Sequence, residues 1–117
     1  MKENFILIHQ GLDPEPEILA LDPADLLRGM YEAIGCDCIE IVHVTAGPLL
    51  PIGVVMVVDE TFWFRVSAKA NTFGSLCYGD TIMGNVILAA EGYRNGEPDL
   101  VGLNDYQLAF LRSIFVI

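Results

Sequence analysis

The chain has 117 residues, 53% of them apolar, and carries 16 acidic side chains against six Lys and Arg, a formal net charge of −10. That length supplies one domain with one modest core. The charge excludes a protein that tracks a phosphate backbone, which needs clustered Lys and Arg.

Taken in chain order, "NFILIHQ" (Asn4–Gln10) reads as a first strand and "EILAL" (Glu17–Leu21) as a second, with the two prolines of "GLDPEPE" in the turn between them. "LDPADLLRGMYEAIG" is the clearest helix. Asp22 stands at its N-cap and Pro23 at its first position, Leu26, Leu27, Met30, Tyr31 and Ile34 fall at helical spacing, and Gly35 ends it. Gly29 inside it costs about 1 kcal/mol against Ala and points to close packing on the sheet. "CIEIVHVTA" (Cys38–Ala46) alternates, with Ile39, Ile41 and His43 on one face. "VVMVVDE" and "TFWFRV" read as an antiparallel pair turning at Asp59-Glu60. "SAKANTFGSLCYGD" reads as a loop or one short helix, "TIMGNVILAAE" (Thr81–Glu91) as a strand with a bulge at Gly84, and "GYRNGEP" as a turn. "DLVGL" is a short strand and "NDYQLAFLRSIF" a closing helix capped by Asn104. Short turns join most strands. The expected fold is therefore α+β, a largely antiparallel sheet of five to seven strands with two or three helices packed on it, in a single domain over 1–117.

The order of these pieces resembles the family of small bacterial and phage proteins called domain of unknown function 3846. The similarity lies in Ile39-Glu40-Ile41-Val42, Val58-Asp59-Glu60, Asn71, and Gly84-Asn85-Val86, and runs from about Ile6 to Ala90. The stretch between Glu60 and Asn71 departs from the family in being aromatic. The resemblance implies an accessory protein of a phage or mobile element and carries no catalytic residue with it.

No reaction is written in the motifs. His9 and His43 lie in expected strands without a recognisable partner, and no Ser sits in a Gly-x-Ser-x-Gly elbow. "GDTIMGN" lacks the Lys-Ser/Thr of a phosphate loop. Cys36, Cys38, Cys77 and His43 lack the paired clusters of a zinc site, so reduced thiols and no metal are expected. The longest apolar run, Pro48–Val58, contains two prolines and a glycine. It falls short of the about 20 residues that span a membrane. "MKENFILIHQ" does not have the form of a signal peptide. The expectation is a non-enzyme without cofactor in the cytoplasm, that of a host cell if phage-encoded. The apolar excess points to a homo-oligomer.

One window stands apart. Thr61–Gly79 contains no Asp or Glu, yet holds Arg65, Lys69 and the aromatics Phe62, Trp63, Phe64 and Phe73. As a strand, Thr61–Val66 would send Phe62, Phe64 and Val66 into the core and set Trp63 beside Arg65 on the other face. An indole with a guanidinium at its edge makes a stacking surface, and Lys69, Asn71 and Thr72 follow as donors. The expected ligand residues are Trp63, Arg65, Lys69, Asn71 and Thr72, and the expected role is sequestration of a small nucleotide-like signal, a counter-measure to host defence. The alternatives are a subunit interface on the same face, or an acidic interaction module that occludes a host protein.

Overall fold

The computed structural model describes residues 1–44 and 49–117, with the backbone but not the side chain of Trp63. Strands β1 (Glu3–Ile8), β2 (Pro16–Leu21), β3 (Ile39–Val42), β4 (Val54–Asp59), β5 (Val86–Arg94) and β6 (Glu97–Val101) form one sheet in the order β2-β1-β5-β4-β3. All pairings between these strands are antiparallel. Ala90 of β5 pairs with both Val54 and Val101, so β6 continues along the edge of β5 that β1 occupies further up. Three helices, α1 (Leu26–Ile34), α2 (Thr72–Tyr78) and α3 (Asp105–Phe115), pack on the sheet, which is the α+β class read from the sequence.

The sheet is buried on both faces. Val54, Met56 and Val58 point toward Phe73 and Cys77 of α2 and Leu111 of α3; Val55 and Val57 point toward Met30 and Ile34 of α1. Every residue of β4 is buried. Two covered faces turn the usual alternation into a continuous apolar run, as in "VVMVV" here and "FILI" in β1. This burial accounts, within one chain, for much of the apolar share that the sequence assigned to an oligomer contact.

Local chemistry sets the boundaries. Asp22 accepts a hydrogen bond from Ala24 N at 3.0 Å and opens a 3₁₀ turn, Pro23–Asp25, that runs into α1; Gly35, at φ 84°, closes it. A Cβ on Gly29 would come within 2.8 Å of Leu21 Cδ2, so its missing side chain is what lets α1 approach β2. Asn104 and Gln107 form a reciprocal capping box on α3. Strand β5 runs on to Arg94, beyond the expected end at Glu91, because Asn95 (φ 51°) and Gly96 (φ 80°) make a two-residue hairpin turn to β6. It begins at Val86, because Gly84 at φ 86° breaks the extension from Thr81. Strand β3 stops at Val42, short of the expected end at Ala46, which lies outside the described residues with Thr45.

The expected strand Thr61–Val66 is absent. Both edges of β4 are taken, by β3 and β5, and no edge remains for a hairpin partner. Asp59 turns the chain instead: its Oδ1 accepts from Thr61 N and Oγ1, each at 2.9 Å, an Asx turn that leads into a 3₁₀ turn at Phe62–Phe64. Phe62 stays buried, but Phe64 and Val66 are 85% and 105% exposed, so the expected core face of this stretch does not exist. Among the described residues no helix is long and apolar enough to cross a membrane.

Candidate functional site

Strands β1 and β4 both run antiparallel to β5, so their C-terminal ends emerge together at one end of the sheet. The loops there bring Gln10, the C-terminal end of α1, the Asp59–Ala70 segment and Asn85 around a cleft of about 220 Å³. A second cleft of about 330 Å³, lined by Arg28, Tyr31, Cys36 and Asp37, lies beside it, and Arg65 and Gly35 line both.

Arg65 is held from behind. Its Nε donates to Asp59 Oδ2, and its Nη2 lies 3.5 Å from Asp37 Oδ1. Asp59 is 3% exposed. That hydrogen bond pushes the guanidinium pKa further up, so Arg65 stays charged at any working pH. Nη1 donates to no described residue, and Arg65 lines both clefts. The rim is fixed by its own bonds. Gln10 N donates to Asn85 Oδ1, and Gln10 Oε1 accepts from Lys69 N, each at 2.9 Å. A cleft wall tied in this way is preorganised, which reduces the ordering cost of binding.

The fold does not gather the five residues expected as a site. Arg65 lines the clefts. Lys69 is exposed and contributes its backbone N–H to Gln10. Thr72 is half-buried and lines a separate, more open hollow with Ser75, Leu76 and Asp80. Asn71 is 1% exposed and fully engaged. Its Oδ1 caps α2 by accepting from Gly74 N at 2.9 Å, and its Nδ2 donates to Ile8 O at 3.1 Å and Gly84 O at 3.0 Å. Asn71 therefore ties loops together and has no donor left for a ligand. The side chain of Trp63 lies outside the described residues. Nor is the window acid-free in space, since Asp59 and Asp37 both reach Arg65. Sequence reasoning missed Asp59, whose signal was the Asp-x-Thr spacing of an Asx turn, and Gln10 and Asn85, which no local pattern marks.

His9 Nε2 meets Glu17 Oε1 at 2.8 Å and His43 Nε2 meets Glu91 Oε2 at 3.0 Å, both pairs exposed. Cys77 is buried beneath α2, and burial pushes its thiol up to about 11. Cys36 packs on the α1 face, so the sheet separates these two cysteines. Burial, then the Asp59 charge, pushes the Cys36 thiol up as well.

The fold defines a class of six-stranded antiparallel sheets with helices on both faces. No family model and no curated protein matches the chain. Among solved structures it is similar to the crystal structure of the small RNA methyltransferase HEN1, at 16% identity and a TM-score of 0.64, over 95% of this chain and 16% of that one. The likeness is one of fold alone, and the chain spans less than a fifth of that protein's length.

Proposed function

We propose that this chain is a non-enzymatic accessory protein of phage or mobile-element origin that binds and sequesters a small nucleotide-like molecule in the clefts around Arg65. One observation carries the reading: Arg65, held by buried Asp59 through Nε, lines two adjoining clefts with Nη1 bonded to no described residue. A fork anchored on one side presents the geometry that recognises carboxylates and phosphates bidentately. Size and charge narrow the ligand. Ligand pockets usually measure about 300–1,000 Å³, so the inner cleft of about 220 Å³ takes one base or one phosphate rather than a dinucleotide. Asp59 cancels the charge of Arg65, and the whole chain carries −10. A polyphosphate would be repelled, and a ligand with a single negative charge and a hydrogen-bonding ring is favoured. The phage setting rests on the sequence resemblance.

The test is the small-molecule content of the purified protein, read by mass spectrometry after denaturation, followed by calorimetry with mono- and dinucleotides. Binding that Arg65→Ala weakens about tenfold or more supports the reading. No bound molecule and no heat with any nucleotide overturns it.

A second reading is favoured by Phe64 and Val66, exposed on either side of Arg65. An exposed aromatic next to an arginine has the composition of an interface hot spot, and such a contact would serve an acidic module that occludes a host protein. A purified host target whose binding is lost in Phe64→Ser, with nucleotide binding unchanged, would select it.

A further inference from the structure

We propose that β2 pairs with β2 of a second copy of this chain, joining two sheets into one across a two-fold axis. Strand β2 ends the sheet and pairs only with β1. The direction of its backbone groups follows from one bond. His9 N donates to Glu15 O, in the same register that pairs Ile8 with Pro16. Antiparallel ladders alternate inward- and outward-facing residues. Glu17, Leu19 and Leu21 therefore turn their N–H and C=O toward β1, while Ile18 and Ala20 turn theirs outward, where they meet no partner among the described residues. An edge of this kind is a template for another strand, and proteins normally blunt it with charges, a bulge or proline. The run Ile18-Leu19-Ala20-Leu21 has none of these. Pro16, which lacks an N–H, lies at the strand's start. The other strands paired on one side only offer shorter uncharged runs: β3 carries Glu40 within four residues and β6 carries Glu97 and Asp99, whereas Pro16 and Glu17 of β2 stand together at one end.

Symmetry selects the register. Facing residues in a ladder share a face of the sheet, so a two-fold axis perpendicular to it must pass through a residue position. An axis at Leu19 sets Ile18 opposite Ala20 of the partner subunit, and the reverse, making about four main-chain hydrogen bonds from the outward-facing groups. Glu17 then falls opposite Leu21 of the partner subunit, so no like charges face each other. Ile18 is 41% exposed and Ala20 is exposed, so both can be changed without disturbing the core. The second copy is favoured because this segment meets its own image with Ile18 and Ala20 paired and no like charges opposed, while the net charge of −10 weakens the contact at low salt.

The experiment uses the full chain and two doubly charged variants, Ile18→Glu/Ala20→Glu and Ile18→Lys/Ala20→Lys, each checked for native circular dichroism. Light scattering from about 1 to 500 μM should show a concentration-dependent dimer for the unaltered chain. Each variant alone should be a monomer at least tenfold above the concentration at which the unaltered chain dimerises. Mixed one to one, the variants should form a heterodimer, because every charge then faces its opposite. An unaltered chain that stays monomeric, or a dimer that survives in both variants, overturns the proposal. Variants that are monomeric alone but fail to pair when mixed overturn the register and the second-copy assignment, leaving a foreign strand as the occupant of this edge.

Discussion

Three arginines meet carboxylates among the described residues; beside the exposed Arg28–Asp25 pair, Arg94 and Arg65 do so at different parts of the sheet, and these two arrangements differ in how completely the guanidinium is used. Arg94, on β5, grips Glu3 with both Nη atoms at 2.8 and 2.6 Å, gives Nη2 also to Leu100 O, and points Nε at Asp99. Glu3 Oε1 accepts from Gly102 N as well. That cluster is the more closed of the two: it ties the first strand to the β5–β6 hairpin and engages all three guanidinium nitrogens, although Arg94 and Asp99 also line a cleft of about 390 Å³ with Leu26 and Leu27. Arg65 rests on one buried carboxylate, touches a second at 3.5 Å, and lines open clefts. Identical chemistry clamps strands together in one place and anchors a loop beside open clefts in the other. The number of guanidinium nitrogens engaged separates the two.

The comparison can be broken most forcefully at Asp59. Asp59→Ala removes a buried carboxylate that serves both the Asx turn and Arg65, and should lower unfolding stability by about 3 kcal/mol, measured by urea denaturation. A loss under 1 kcal/mol would show that the loop does not depend on it. The closed cluster should respond less, because about a quarter of each side chain remains in water. Glu3→Ala should cost about 1–2 kcal/mol and leave ligand binding unchanged.

Acid sharpens the same point. The Arg94 hydrogen bond holds the Glu3 carboxyl below its ordinary value of 4.5. A folded pKa below the unfolded one gives stability that is fully present above about 4.5 and is lost as pH falls through the folded value. Denaturation midpoints between pH 6 and 3 should therefore decline in acid, and Glu3→Gln should flatten the part of that decline due to this pair. An unchanged slope in Glu3→Gln would remove Glu3 from the account.

Arg65→Ala should lower both the denaturation midpoint, because it leaves the buried Asp59 carboxylate without its cation, and binding, whereas Arg94→Ala should lower the midpoint and leave binding unchanged. Arg65→Lys, which keeps the charge but loses the fork, should rescue little of the binding. The smallest effect is expected at Phe64. Phe64→Ser should shift stability by less than about 0.5 kcal/mol, since an 85% exposed ring has little burial to lose.

Elements with their own local chemistry were legible in the sequence. Asp22-Pro23 and Gly35 bounded α1, Asn104 marked α3, and two short apolar runs with prolines between them gave the first hairpin. The close approach at Gly29 was legible too. What failed was what depends on partners distant in sequence. "TFWFRV" has a strand's alternation, and only the pairing of β4 on both edges rules the strand out. Asn71 has the chemistry of a ligand donor, and only the fold shows that Ile8, Gly84 and Gly74 already use it. The missing acid near Arg65 was true of the chain and false of space, because Asp37 arrives from the end of α1. Arg65 was singled out for an acid-free window that does not exist in space, and its partner Asp59, read as a turn residue, is buried.

The place of β5 in the sheet has a kinetic consequence. Ile6 pairs with Leu88, and Leu103 N donates to Asn4 O, so β1 is completed only by segments translated well after it. Chains dominated by such distant pairings close their loops late and fold slowly. On the ribosome, the β1–β2 hairpin and α1 must wait with the "FILI" face uncovered until β5 emerges. During that interval an apolar strand is open to improper partners. Refolding should accordingly proceed over milliseconds to seconds rather than microseconds, and variants that weaken β5 should show it first as aggregation during synthesis.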